Sequence, residues 1–158
     1  MNANKKVIIY GLGNPYRCDD AVGIKVVEQL RTVLNDSRVT LKSGSIDGLT
    51  MLDEILGYDR VIIVDSIKTA SGSPGNIYRT NLDPLDTSSS VSLSHGVSFI
   101  TAIRTGIRFG YDMPRRIELF VIEIADNESF TEECTESVKK TIPVLVAILK
   151  KETDEYLA

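Results

Sequence analysis

Asp19, Asp20, Asp65 and His95 have the side chains needed to hold a divalent transition metal. Asp19 and Asp20 follow a glycine turn in "YGLGNPYRCDD", residues 10–20. Asp65 ends the apolar run of "RVIIVDSI", residues 60–67, and His95 follows a serine-rich stretch. Asp19 or Asp20, with Asp65 and His95, would supply two oxygen ligands and one nitrogen, an incomplete first shell that water or a partner's groups would complete. His95 is the only histidine, which excludes HExxH and every multi-histidine metal site within one chain.

Each residue also has a plainer reading. Asp19 or Asp20 would cap the first helix, where an acid is favoured. Asp65 would be a strand-end turn residue, although an acid directly after β-branched residues is costly to bury unless paired or ligated. A lone histidine before glycine is by default a surface or capping residue. The functional case therefore rests on joint placement.

Gly11 and Gly13 begin a G-x-G, but Tyr16 stands where a dinucleotide fingerprint has its third glycine. Asp19 and Asp20 would repel a pyrophosphate at the helix start, and no Lys-Ser/Thr ending makes a phosphate loop. The nucleotide reading is weak. The glycines would instead let backbone approach a bulky ligand, with Asn14 adding an orienting amide. A Ser-His-Asp hydrolase is disfavoured by the lack of a G-x-S-x-G elbow and by serine and histidine being too close in "SLSHG".

These residues need a frame. Residues 5–10, 38–42, 60–67 and 115–124 read as strands, and "NIYRT" as a short edge strand. Helical spacing covers 20–34 (Val22, Val26, Val27, Leu30, Val33, Leu34), 49–56, 95–110 (Val97, Ile100, Ile103, Ile107) and 131–151, with a kink expected at Pro143. Residues 86–94 read as a long functional loop. Strands alternating with helices give an α/β fold, a mostly parallel sheet covered on both faces. In such sheets ligands bind at the carboxyl ends of the strands, where Asp19, Asp20, Asp65 and His95 all fall.

The 158 residues suit a single domain, 1–158. A charged fraction of 25% and a hydrophobic fraction of 42% are those of a soluble globular protein, and a net charge of −4 argues against nucleic-acid binding. The apolar runs are too short to span a membrane and the start lacks a signal-peptide core, so the expected compartment is cytoplasmic. Cys18 and Cys134 are then free thiols. Asp19 would raise the Cys18 pKa and blunt its reactivity, and Cys134 is expected in a helix, in a structural role.

"GLGNPYRCDDAVG" resembles the opening motif of the hydrogenase maturation proteases. The resemblance continues through "IDGLTMLDEILGYDRVIIVDSI", "GSPGNIYR" and "SLSHGVSF" to the closing "FTEECTESVKKTIPVLVAIL", covering nearly the whole chain in the same order. It implies a three-layer α/β/α sandwich around a small, mostly parallel twisted sheet that can carry one antiparallel edge strand. It also implies an endopeptidase that removes a C-terminal peptide from the nickel-loaded large-subunit precursor of a nickel–iron hydrogenase. By this resemblance Asp20, Asp65 and His95 are the nickel-contacting and catalytic residues. Gly11, Gly13, Asn14 and Asp19 support them, and the substrate supplies the nickel. The precursor is the expected partner of a monomer that uses neither nucleic acid nor membrane. Some members carry an acid after the second strand; Ser43 stands there in this chain, with Asp47 nearby. The alternative is a non-catalytic metal- or nucleotide-binding α/β module.

Overall fold

Strands buried on both faces need near-continuous apolar runs, and "VIIYGL" and the Val61–Val64 stretch of "RVIIVDSI" supply them. A computed structural model describes residues 4–82 and 96–158 of the protein. Its strands are β1 (Val7–Leu12), β2 (Val39–Gly44), β3 (Arg60–Ile67), β4 (Ile77–Asn81) and β5 (Arg116–Glu123). Its helices are α1 (Val22–Val33), α2 (Gly48–Ile55), α3 (Gly96–Arg108) and α4 (Glu136–Leu157). The strands form one five-stranded sheet in the order β2-β1-β3-β5-β4. All neighbours are parallel except β4, which closes one edge antiparallel to β5.

Side-chain alternation splits the core in two. Val7, Ile9, Ile62, Val64, Phe120 and Ile122 pack against α1 and α4. Ile8, Tyr10, Val61, Ile63, Leu119 and Val121 pack against α2 and α3. The expected α/β/α sandwich and its antiparallel edge strand are both present. Val33 and Ile107, expected on apolar helix faces, are exposed near the ends of their helices. Cys134 is buried but precedes α4 rather than lying in it. The helix starts later than its apolar pattern suggested, at Glu136 after the N-cap Thr135, and runs on to Leu157. Pro143 sits inside α4 on its exposed side, where water can reach the carbonyl its missing N–H leaves unpaired.

Two features of the sheet position the chemistry. The chain leaves β1 for β2 on one side and returns to β3 on the other, so the topological switch point lies between the carboxyl ends of β1 and β3. Pairing of β1 with β3 ends at Gly11 and Val64, while β3 continues through Asp65 and Ser66 to Ile67, paired there with β5. The last residues of β3 thus reach past β1 at the crevice.

The opposite edge carries a buried ion cluster under α4. Glu118, fully buried, accepts from Arg60 Nε at 2.6 Å, Arg79 Nη2 at 2.5 Å and Arg116 Nη2 at 3.0 Å. Arg60, itself 1% exposed, also reaches the Glu152 carbonyl and stacks over Tyr156 at 5.1 Å. Burial pushes the Glu118 pKa up, but the Arg60 and Arg79 hydrogen bonds outweigh it and hold the group below its usual 4.5. Its contribution to stability is therefore full above pH 4.5 and is lost as pH falls through the lower folded value. Glu118→Ala leaves Arg60 buried and without its carboxylate, so chemical denaturation should show a loss of about 3–5 kcal/mol. Glu118→Gln should flatten the fall in Tm on the acid side of pH 4.5.

Candidate functional site

The glycine turn is shaped by packing within the chain. A Cβ on Gly11 would lie 2.2 Å from the Gly23 carbonyl oxygen. One on Gly23 would lie 2.4 Å from the Val64 oxygen and 2.5 Å from the Leu12 oxygen. The first turn of α1 therefore sits directly on the ends of β1 and β3. Gly23, rather than a glycine at position 16, allows the close helix–strand approach. A Cβ on Gly13 would meet the Asp20 carbonyl oxygen at 2.0 Å. The space expected for a ligand beside Gly11 and Gly13 is occupied by the protein's own backbone.

Beyond the turn, Cys18 adopts a φ of 48° and starts a 3₁₀ turn, Cys18–Ala21. Consecutive residues of this tight turn point in different directions, and this separates the two aspartates. Asp19 turns inward and is fully buried. Its Oδ2 accepts from the backbone N–H groups of Ala125 and Asp126, both at 3.0 Å, and from the Thr135 hydroxyl at 2.8 Å. Its Oδ1 accepts from Thr135 N at 2.7 Å. Asp19 is a structural clamp between the 3₁₀ turn and the β5–α4 connection.

Asp20 stays half-buried at the rim. Its Oδ2 accepts from Asn14 N at 3.1 Å and its Oδ1 from Ser66 Oγ at 2.9 Å. Neither aspartate caps α1, whose N-cap is Ala21 without a side-chain hydrogen bond. The Asn14 Oδ1 accepts locally, from Tyr16 N at 3.0 Å.

Asp65 lies inside β3, 1% exposed, and its Oδ1 accepts from Ser66 N at 2.8 Å. Alternation sends Asp65 with Ile63 toward the α2–α3 face and Ser66 with Val64 toward the α1 face. Asp20 and Asp65 thus flank the end of β3, joined through one residue. Since α3 ends next to the start of β5, its amino end at Gly96 points to the same sheet edge as these acids. His95 and the serine-rich stretch lie outside the described residues. Among the described residues, no three histidine, cysteine, aspartate or glutamate side chains cluster as a metal site, which leaves the pair of carboxylates.

Several supports were not legible as such. Ser66 follows Asp65 in the chain, but its contact with Asp20 depends on the β1–β3 crossover. Glu123, 1% exposed at the end of β5, accepts from Thr69 N at 2.8 Å and Thr69 Oγ1 at 2.5 Å, pinning the connection after β3. Asp47, the acid near Ser43, is committed as the N-cap of α2, accepting from Thr50 N at 2.8 Å. That bond holds its pKa below the usual carboxylate range. Cys18 and Cys134 are free and buried. Burial pushes the Cys18 thiol up and Asp19 adds to the shift, while burial takes Cys134 to about 11. Both shifts disfavour the thiolate that a cysteine nucleophile needs. Next to the turn, Tyr16 and Phe130 are exposed beside an open cavity of about 460 Å³.

Comparison with known proteins follows the same lines. Residues 24–152 match the family model of the hydrogenase maturation proteases, a span that includes Asp65 and His95 and begins after Asp20. The chain is 24% identical over 116 residues to the hydrogenase 2 maturation protease of Escherichia coli K12, covering 72% of this chain and 70% of that one. Its backbone matches the hydrogenase maturating endopeptidase HybD of E. coli with a TM-score of 0.82 at 20% identity, over 96% of this chain and 93% of the other. It matches the NiFe hydrogenase maturation protease HycI of Thermococcus kodakarensis with a TM-score of 0.73 at 24% identity, over 95% and 93% of the two chains. At these identities the structural likeness establishes a shared fold.

The division between the aspartates is measurable. Asp19→Ala orphans several buried donors and should cost at least about 3 kcal/mol, whereas Asp20→Asn should change stability by no more than about 1 kcal/mol. Thermal unfolding of the two variants checks this.

Proposed function

The chain belongs to the hydrogenase maturation protease family, and from that premise we propose that it removes a C-terminal peptide from the nickel-loaded large-subunit precursor of a nickel–iron hydrogenase. The observation that carries the reading is the joining of Asp20 and Asp65 through Ser66 at the switch point of the sheet. An α/β fold of this order takes its ligand there. Two carboxylates with His95 are a donor set suited to a divalent transition metal and too small to enclose one.

In this reading nickel is part of the substrate. Held by the precursor's own ligands, it docks on Asp20, Asp65 and His95, so that only a loaded precursor presents its tail correctly. Nickel so bound would polarise a carbonyl it touches. The chain's residues orient the tail, and one of the carboxylates takes a proton from the attacking water. The exposed Tyr16 and Phe130 offer apolar contact area to a macromolecular substrate next to the acids. The enzyme works as a cytoplasmic monomer. A nucleotide-binding module is disfavoured because backbone fills the space beside the glycines and a carboxylate stands ahead of α1.

Asp20→Asn, Asp65→Asn and His95→Ala should each lower cleavage of loaded precursor by at least about 100-fold while the chain still unfolds cooperatively. Normal cleavage by both Asp65→Asn and His95→Ala would show that the site is misassigned. A shared site also predicts weak Ni²⁺ association with the free protease, with a Kd no tighter than about 1 μM. Isothermal titration giving nanomolar binding would contradict sharing.

A further inference from the structure

Ser66 touches both carboxylates. Its backbone N–H donates to Asp65 Oδ1 at 2.8 Å and its hydroxyl donates to Asp20 Oδ1 at 2.9 Å. The residue is 3% exposed and paired with Ile122 of β5, so its backbone is fixed by the sheet. Asp20 is less constrained. It belongs to a four-residue 3₁₀ turn and is half-buried. Among the described residues, its other hydrogen bond is from Asn14 N, on Oδ2.

We propose that Ser66 is a positioning residue that sets Asp20 against Asp65, so that the pair meets the substrate's metal in one preset arrangement. The proposal rests on the reading of Asp20 and Asp65 as the docking pair. One bond on each carboxylate oxygen fixes the plane of the group, whereas a single bond leaves it free to rotate. Each oxygen retains a further acceptor position for a cation. Ser66 thus does for Asp20 what groups behind a metal ligand commonly do, holding it in a geometry it would otherwise reach only part of the time.

Ser66→Ala is a clean test because it deletes the hydroxyl and keeps the main-chain bond to Asp65. It should lower both kcat/KM for nickel-loaded precursor and the affinity of the free chain for Ni²⁺ by about 10–100-fold, and Ser66→Thr should restore both to within about threefold. The Tm of Ser66→Ala should stay within about 3 °C of the parent. Parent-like cleavage and Ni²⁺ affinity in Ser66→Ala would overturn the proposal. So would equal impairment of Ser66→Thr at an unchanged Tm. If the extra methyl lowers the Tm of Ser66→Thr, the Ser66→Ala titration decides alone. Asp20→Asn run in parallel separates the two levels. Normal cleavage by Asp20→Asn removes the docking pair itself, and an inactive Asp20→Asn beside an unimpaired Ser66→Ala removes only the role of Ser66.

Discussion

The buried carboxylate of Asp19 is the interaction on which the site depends. Its acceptors are filled by N–H and O–H groups from residues 125, 126 and 135, more than a hundred positions away in the chain. A charge fully removed from water is tolerable only with such a set of donors. The donors belong to the connection between β5 and α4, so Asp19 ties the 3₁₀ turn after β1 to the chain leaving β5, two strands away in the sheet. The left-handed backbone at Cys18, uncommon for a residue with a side chain, is the local cost of turning Asp19 inward. The backbone bonds Cys18 N to Thr131 O and Asp19 N to Asp126 O complete the clamp.

With Asp19 inside, Asp20 is left at the rim. The arrangement then follows from two further constraints. Gly11 and Gly23 bring α1 onto the ends of β1 and β3, which sets the height of the 3₁₀ turn. The overhang of β3 past β1 leaves Asp65 and Ser66 beside that turn, with sheet pairing only to β5. Chemistry gathers at the carboxyl edge, while the Glu118 cluster secures the other edge and leaves Arg60 and its partners committed to the fold.

Much of this was legible in the residues. The β-branched run of β3, the helical spacing after the turn and the short "NIYRT" edge strand follow from period and composition, and they place Asp20 and Asp65 on one edge before any coordinates. What was not legible depends on distant parts of the chain. By residue type and position Asp19 and Asp20 are equivalent neighbours, so that a motif resemblance alone separates them in the sequence, and the physical difference lies in the donors near residues 125–135. The glycines read as openings for a ligand because nothing local reveals that Gly23 lies against Gly11. Cys134 falls outside α4 because Thr135 is used twice, as the N-cap and as a donor to Asp19. The later reach of α4 to Leu157 comes from tertiary anchoring, with Leu157 buried and Tyr156 stacked by Lys5 and Arg60. The charged tail's own periodicity does not show it.

The central claim is that the rim carboxylates read a metal carried by the substrate. The most direct measurement is the intact mass of a C-terminally extended large-subunit precursor before and after incubation with this protein, with nickel-loaded and nickel-free precursor side by side. The account predicts loss of a single C-terminal peptide from the loaded precursor alone. Equal cleavage of the nickel-free precursor would contradict it.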